Sequence, residues 1–244
     1  MLEGMYTAAA GMAAQQQRLD ALSNDLANVN TVGYQAVRVA FRDLVYTPSG
    51  PGGQPSVDEG AGAAASTIGR STRAGALRQT GDPLDVAIAG PGYLQVRRPD
   101  GTNALTRNGQ LTVDARGRLN AGGLPLQPPV RVPADVDEQS IAIAPDGRVQ
   151  AAGATIGRIG LFSVRSPDRL TALGDSLFAA NAASGAPARA GTATTLSQRA
   201  LEQSNVDLGD AMADMIATQR NYSLASRAID MADQMAQIAN GIKK

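Results

Sequence analysis

The chain offers little from which a reaction centre can be built. Its 244 residues include no His and no Cys. That removes the usual general base near neutral pH, the commonest metal ligand, and any thiolate or disulfide chemistry. Four Glu are present (Glu3, Glu59, Glu138 and Glu202), and only Glu138 falls within the stretch that reads as a β body. Asp82 and Asp85 are close enough in sequence to form a hydrolytic carboxylate pair, and a hydrolase built on them would fail on Asp85→Asn. Their setting, Gly81-Asp82-Pro83-Leu84-Asp85, reads more simply as a turn. The serines have no His to activate them. The glycines at 60 and 62 imitate a dinucleotide loop without a clear preceding strand. Asp135-Val136-Asp137 lacks the other ligands of a calcium loop, and Asn221-Tyr222-Ser223, a glycosylation pattern, falls inside the strongest helix. The expectation is a protein that is not an enzyme, with no catalytic residues, no cofactor and no metal site.

Partners narrow in the same way. Lys plus Arg equals Asp plus Glu at 22 each, so no electrostatic footprint for nucleic acid is present. No stretch approaches the roughly 20 apolar residues that cross a bilayer. The amino terminus carries Glu3 and periodic apolar residues, which does not suit a cleaved secretory signal.

The ordered signal is heptad spacing at both ends. Met5, Met12, Leu19 and Leu26 lie seven apart, with Ala8, Gln15, Leu22 and Val29 between them. This is an a/d seam over about thirty residues, interrupted once by Gln15. Asn28 to Tyr34, rich in Asn, β-branched residues and Gly, ends it. Near the other terminus Leu201, Leu208, Met215, Tyr222, Ile229 and Ala236 repeat at seven. Ser204, Ala211, Thr218, Ala225, Ala232 and Ala239 form a companion row of small residues. Large on one row and small on the other permits close helix–helix approach, and the small row is expected to be a contact surface between subunits. Asn205 or Asp207 is positioned to cap this helix.

Between the helices the period changes to two. Asp85-Val86-Ala87-Ile88-Ala89, Tyr93-Leu94-Gln95-Val96, Leu111-Thr112-Val113 and Ile156–Val164 read as short strands, punctuated by Asp100-Gly101, Asn108-Gly109, Arg116-Gly117 and Asp146-Gly147 as hairpin turns. The expected fold class is α+β, with discontinuous terminal helices forming one coiled-coil domain (1–34 and 197–242) beside a compact antiparallel all-β body (77–180). An extended linker (35–76) and a return linker (181–196) join them. Gln35–Tyr46 suits strand or helix equally, and Thr47–Ala65 is Gly/Pro/Ala-rich and reads as linker.

Three separated motifs carry a resemblance. Leu22-Ser23-Asn24-Asp25-Leu26-Ala27-Asn28-Val29-Asn30-Thr31-Val32-Gly33-Tyr34 is similar to the amino-terminal signature of bacterial flagellar rod and hook proteins, with Asp25 where that signature typically has a second Asn. Leu201-Glu202-Gln203-Ser204-Asn205-Val206-Asp207 followed by Met215–Tyr222, including Gln219, resembles the family's carboxy-terminal motif. Gly81–Val96, Leu105-Thr106-Arg107-Asn108-Gly109 and Leu124–Pro128 resemble its β domain. Short length and a single β body argue against the hook subunit. Gln15-Gln16, Phe41–Tyr46 and Leu126-Gln127-Pro128 look most like the distal rod segment, with the proximal segment as alternative.

The resemblance implies a structural subunit of the flagellar basal body. Such subunits leave the cell through the flagellar type III export apparatus without a cleaved signal and polymerise helically into a hollow drive shaft that passes motor torque to the hook. The implied partners are copies of the chain itself, neighbouring rod and hook subunits, the export apparatus and surrounding bushing rings. The expected assembly contacts are Met5, Met12, Leu19, Leu22, Leu26, Val29, Leu208, Met215, Tyr222 and Ile229. The implied signature positions are Ser23, Asn24, Leu26, Asn28, Gly33, Tyr34, Ser204, Asn205, Val206 and Gln219. A different class of reading, a β-rich ligand-binding domain on a helical stalk, would need a sugar-stacking surface from only five Tyr, three Phe and no Trp.

Overall fold

The computed structural model describes residues 2–46 and 59–242. They form two compact units: Met1–Ala27, Val37–Ile68 and Asp207–Lys244 in the first, Asn28–Ala36 and Gly69–Val206 in the second. Two terminal helices and an antiparallel β body give the α+β class that the periodicities specify.

In the first unit, α1 (Leu2–Ala27) packs against α2 (Leu208–Ile242) and against β1 (Val37–Tyr46). β1 pairs with β2 (Glu59–Arg70) in a two-stranded sheet. The helix pair closes on small side chains: Ala14 of α1, and Ala211 and Thr218 of α2, are buried. The Thr218 hydroxyl donates to the Asp214 carbonyl at 2.7 Å, so its burial leaves no donor unmet. Arg18 meets Asp214 at 3.0 Å, an exposed pair worth at most about 1 kcal/mol. Asp25 is buried and accepts the Val37 N–H on its two carboxylate oxygens at 2.9 and 3.3 Å. An acceptor is what this position uses, and Asp supplies it as Asn would.

The second unit is a set of short antiparallel strands around Tyr93–Arg97. That strand pairs with Asn103–Thr106 on one edge and with both Leu124–Gln127 and Leu161–Ser163 on the other. Its alternation divides two cores. Leu94 and Val96 join Val86, Ile88, Leu119, Leu126, Val149 and Ile159, while Tyr93 joins Leu105, Leu170 and Phe178. Tyr93 meets Phe178 edge-on with centroids 6.0 Å apart. Three turns share one wiring. In 98–102, 114–118 and 144–148 the first residue's N–H reaches the fifth residue's carbonyl, and the fourth, a Gly, donates back to the first. Gly101, Gly117 and Gly147 take positive φ there, as a three-residue hairpin loop requires.

Several expectations need correcting. α1 stops at Ala27, leaving Val29 in the turn that Asn28 and Thr31 close, N–H to carbonyl at 3.1 Å. α2 starts at Leu208, not near 197. Asp207 caps it by accepting the Gly209 and Asp210 N–H groups at 2.9 and 3.1 Å. Leu201 and Ser204 therefore lie outside the helix, and Leu201 is buried in the strand Ala200–Glu202. Their seven-residue spacing from Leu208 and Ala211 is coincidental. Glu202 belongs to the β body as well. Asn108-Gly109 is not a hairpin turn: a Cβ at Gly109 would lie 1.6 Å from the Val86 carbonyl oxygen, so this Gly serves close backbone approach. Within the expected linkers, 59–70 forms β2, Ala188–Arg189 pairs with Leu161–Ser163, and Thr195–Gln198 pairs with Val86–Ala89. Backbone ladders order these Ala- and Thr-rich pieces, and Leu196 adds a buried side chain to the main core. Residues 47–58 of the expected linker lie outside the described residues.

Candidate functional site

In the second unit, three distant pieces of sequence meet at one buried ion pair. Arg107 and Glu202, 95 residues apart, join Nε to Oε2 at 2.8 Å with both side chains almost wholly buried. Arg and Glu are rarely buried unless paired, and here further bonds surround the pair. Arg107 donates from Nη1 to the carbonyls of Gly92 (2.8 Å) and Gly90 (3.2 Å), and from Nη2 to that of Ile88 (3.2 Å). Its guanidinium lies 5.6 Å from the centroid of the Tyr93 ring. The other Glu202 oxygen accepts the Gly75 N–H at 3.0 Å, and the Glu202 carbonyl accepts the Gly33 N–H at 2.9 Å. Gly33 has φ +65°, and a Cβ there would lie 2.6 Å from the Arg107 carbonyl carbon. Only Gly satisfies both conditions.

Asn205 extends the same knot. Its Oδ1 accepts the Ala36 N–H at 2.7 Å, and its Nδ2 donates to the carbonyls of Arg73 (2.7 Å) and Ser71 (3.2 Å). Arg70 donates to the Gln35 carbonyl at 2.8 Å and stacks over the Tyr34 ring at 5.3 Å. Burial raises the Tyr93 pKa above the ordinary phenol value. The hydrogen bond with Gln35, at 3.4 Å, and the Arg107 charge oppose that rise, and the Glu202 charge adds to it.

The first unit carries a different surface. On α2, Met212, Ile216, Leu224, Met231, Met235 and Ile238 are exposed, with Leu224, Met231 and Ile238 seven apart at 61%, 57% and 63%. A helix of 35 residues beside one of 26 also leaves at least about 13 Å of α2 without α1 alongside. Large apolar side chains in such a row are what an interaction surface presents.

The expected assembly residues divide accordingly. Met5, Met12, Leu19, Leu22, Leu26, Met215 and Ile229 are half-buried in the helix unit, while Leu208 and Tyr222 are exposed. The small row is not the open surface expected of it. Ala211 and Thr218 are buried, Ala225 and Ala232 half-buried, and the exposed row lies on another face. Of the signature residues, Gly33, Tyr34, Ser204 and Asn205 are buried in the second unit beside half-buried Asn28 and Val206. Ser23, Asn24 and Gln219 sit exposed on the helices, with Leu26 half-buried. Sequence reasoning missed Arg107 and Glu202 as partners, although each stands beside an apolar strand run where an unpaired charge would be costly.

Clefts open in the β body. The larger, about 430 Å³ between Pro128, Arg158, Leu161 and Thr194, has Asp146 as its one carboxylate. That group is tied to Arg148 at 2.8 Å and lies 3.6 Å from Arg158. Asp82 accepts the Leu84 N–H at 2.9 Å and so belongs to a turn. Among the described residues no His/Cys/Asp/Glu cluster is suited to a metal, and no helix is long and apolar enough to cross a membrane.

Residues 5–35 match the family model described as flagella basal body rod protein. Residues 87–151 match that of the flagellar hook protein FlgE/F/G D1 domain, and residues 197–242 that of the flagellar basal body rod FlgEFG protein C-terminal. The flagellar basal-body rod protein FlgG of Borreliella burgdorferi is 33% identical over 265 residues, covering 100% of both chains. FlgG of Caulobacter vibrioides is 35% identical, covering 99% of this chain and 100% of the relative, and FlgG of Bacillus subtilis is 34% identical over 100% of both. The chain belongs to the FlgG family of flagellar basal-body rod proteins. Each matched segment of this FlgG-family chain contributes to the buried knot: Gly33 from the first, Arg107 from the second, Glu202 and Asn205 from the third.

Proposed function

We propose that this rod subunit assembles through the exposed face of α2, with Leu224, Met231 and Ile238 packing against terminal helices of neighbouring copies. The chain is a structural subunit of the distal rod, located in the flagellar basal body. In the proposed arrangement the helix unit supplies the repeated contacts of a helical polymer, and the residues of the seam between α1 and α2 (Met12, Leu19, Leu22, Met215 and Ile229) hold each subunit's pair together. The hook, the export apparatus and the bushing rings are further proposed partners. The observation carrying this reading is the apolar row on α2, since water-facing Leu, Met and Ile at heptad spacing cost solubility unless covered. In a strain lacking its own copy, Met231→Asp is expected to abolish swimming and rod completion while the protein accumulates normally. Full swimming with Met231→Asp and Leu224→Asp combined would refute this assignment.

A further inference from the structure

We infer that Glu202 and Asn205 are positioning residues that make three chain crossings order as one event: 33–36 leaving the amino-terminal arm, 71–76 returning from β2, and 202–205 entering the carboxy-terminal arm. The connections are mutual. Glu202 holds Gly75 through its carboxylate and Gly33 through its carbonyl, while Asn205 holds Ala36 with its acceptor and Ser71 and Arg73 with its donors. Two backbone bonds lie between them: the Asn205 N–H reaches the Tyr34 carbonyl at 3.3 Å, and the Gln203 N–H reaches the Ala76 carbonyl at 2.9 Å. Each crossing is therefore bonded to the carboxy-terminal crossing by both residues, and Arg70 adds a link from the return crossing to the Gln35 carbonyl.

Buried polar networks of this kind are satisfied together or not at all. If 33–36 lifts away, Asn205 Oδ1 and the Glu202 carbonyl lose their donors inside the protein. If 71–76 lifts, the Glu202 carboxylate loses Gly75 and Asn205 loses both its acceptors. Neither terminal arm then has an independently ordered root: the amino-terminal crossing is fixed only when the carboxy-terminal one is in place. The knot is fastened to the β body at one charged point, Arg107, whose own bonds to Ile88, Gly90 and Gly92 do not involve the arms. This coupling stands independently of polymerisation, because every contact in it lies within one chain.

The test is amide hydrogen exchange by NMR on the full-length monomer and two variants. Glu202→Gln leaves Asn205 and its partners chemically intact. Asn205→Asp keeps the acceptor for Ala36 but turns the donor into an acceptor facing two carbonyls. Coupling predicts crossed effects of about tenfold or more: Ala36, bonded to Asn205, exchanges faster in Glu202→Gln, and Gly75, bonded to Glu202, exchanges faster in Asn205→Asp. Leu94 and Val96 amides in the β body lose less protection than the crossed amide in each variant, because loss of the Arg107 partner in Glu202→Gln lowers global stability without opening the crossings selectively. If each variant exposes only its own partner, or no amide responds, the crossings are independent and the inference fails. It fails equally if Leu94 and Val96 lose as much protection as the crossed amide, since the crossings would then open only with the whole β body.

Discussion

Arg107 and Glu202 form a 2.8 Å ion pair with almost no solvent access, and between them they touch all three segments matched by the flagellar family models. Breaking one side of a buried pair leaves an uncompensated charge, a loss of about 3–5 kcal/mol. Glu202→Leu and Arg107→Met should each show that order of destabilisation in urea titrations followed by circular dichroism. The double variant should cost clearly less than the sum of the two, because no buried charge remains.

Gly33 is the backbone counterpart of that pair. Its φ of +65°, and the 2.6 Å that would separate an added Cβ from the Arg107 carbonyl carbon, act against any side chain. Gly33→Ala should lower stability by about 2–4 kcal/mol. The same substitution at Gly4, in the first turn of α1, where a Cβ meets nothing within 4 Å, should be neutral or slightly stabilising. Thermal melts of the two variants compare them directly.

How far these features can be read from sequence depends on the range of the contact. The α2 heptad rows are legible because helical spacing is local, yet the period continues seven residues too far, through Leu201, since a period alone does not mark where Asp207 caps the helix. The Ala- and Gly-rich β2 is not legible because its order comes from pairing with β1, not from its own side chains. Gly33, Arg107 and Glu202 each lie in a recognisable motif. Their meeting is hidden because many strands separate the partners in sequence. Which row of α2 faces α1 is also not deducible: small residues suit an inner seam and an intersubunit seam equally.

Gln15 interrupts the α1 seam, and its Oε1 is buried without a hydrogen-bond partner among the described residues. Leaving such an acceptor unmet costs about 1–3 kcal/mol. Gln15→Met, similar in size and shape, should therefore stabilise the helix pair by roughly 1–2 kcal/mol, read as a higher thermal midpoint for the helical signal in the monomer.

Asp100, Asp114 and Asp146 lie in the three hairpin loops of common wiring, and each has a pKa held below the ordinary carboxylate value. For Asp100 the leading cause is the Thr102 hydroxyl; for Asp114 and Asp146 it is the backbone N–H of Arg118 and of Arg148 respectively. A lowered folded-state pKa means that the unfolded chain binds protons first as pH falls. The contribution is thus fully present above the usual Asp value of about 4 and is lost as pH drops through the folded value. The β body should weaken below about pH 4, and Asp114→Asn should flatten that acid dependence while leaving the Tyr93 region unaffected. Urea midpoints measured from about pH 6 down to about pH 2 would show the difference.

The proposed assembly requires the apolar row on α2 to be covered by other copies in the rod. The native chain has no Cys, so a single introduced thiol reports one position cleanly. Met231→Cys, placed where the native side chain is 57% exposed, is to be treated with a maleimide both in dilute monomer and in purified rods. Rapid labelling of the monomer and protection in the rod is the predicted result. Equal labelling in the two states would contradict it.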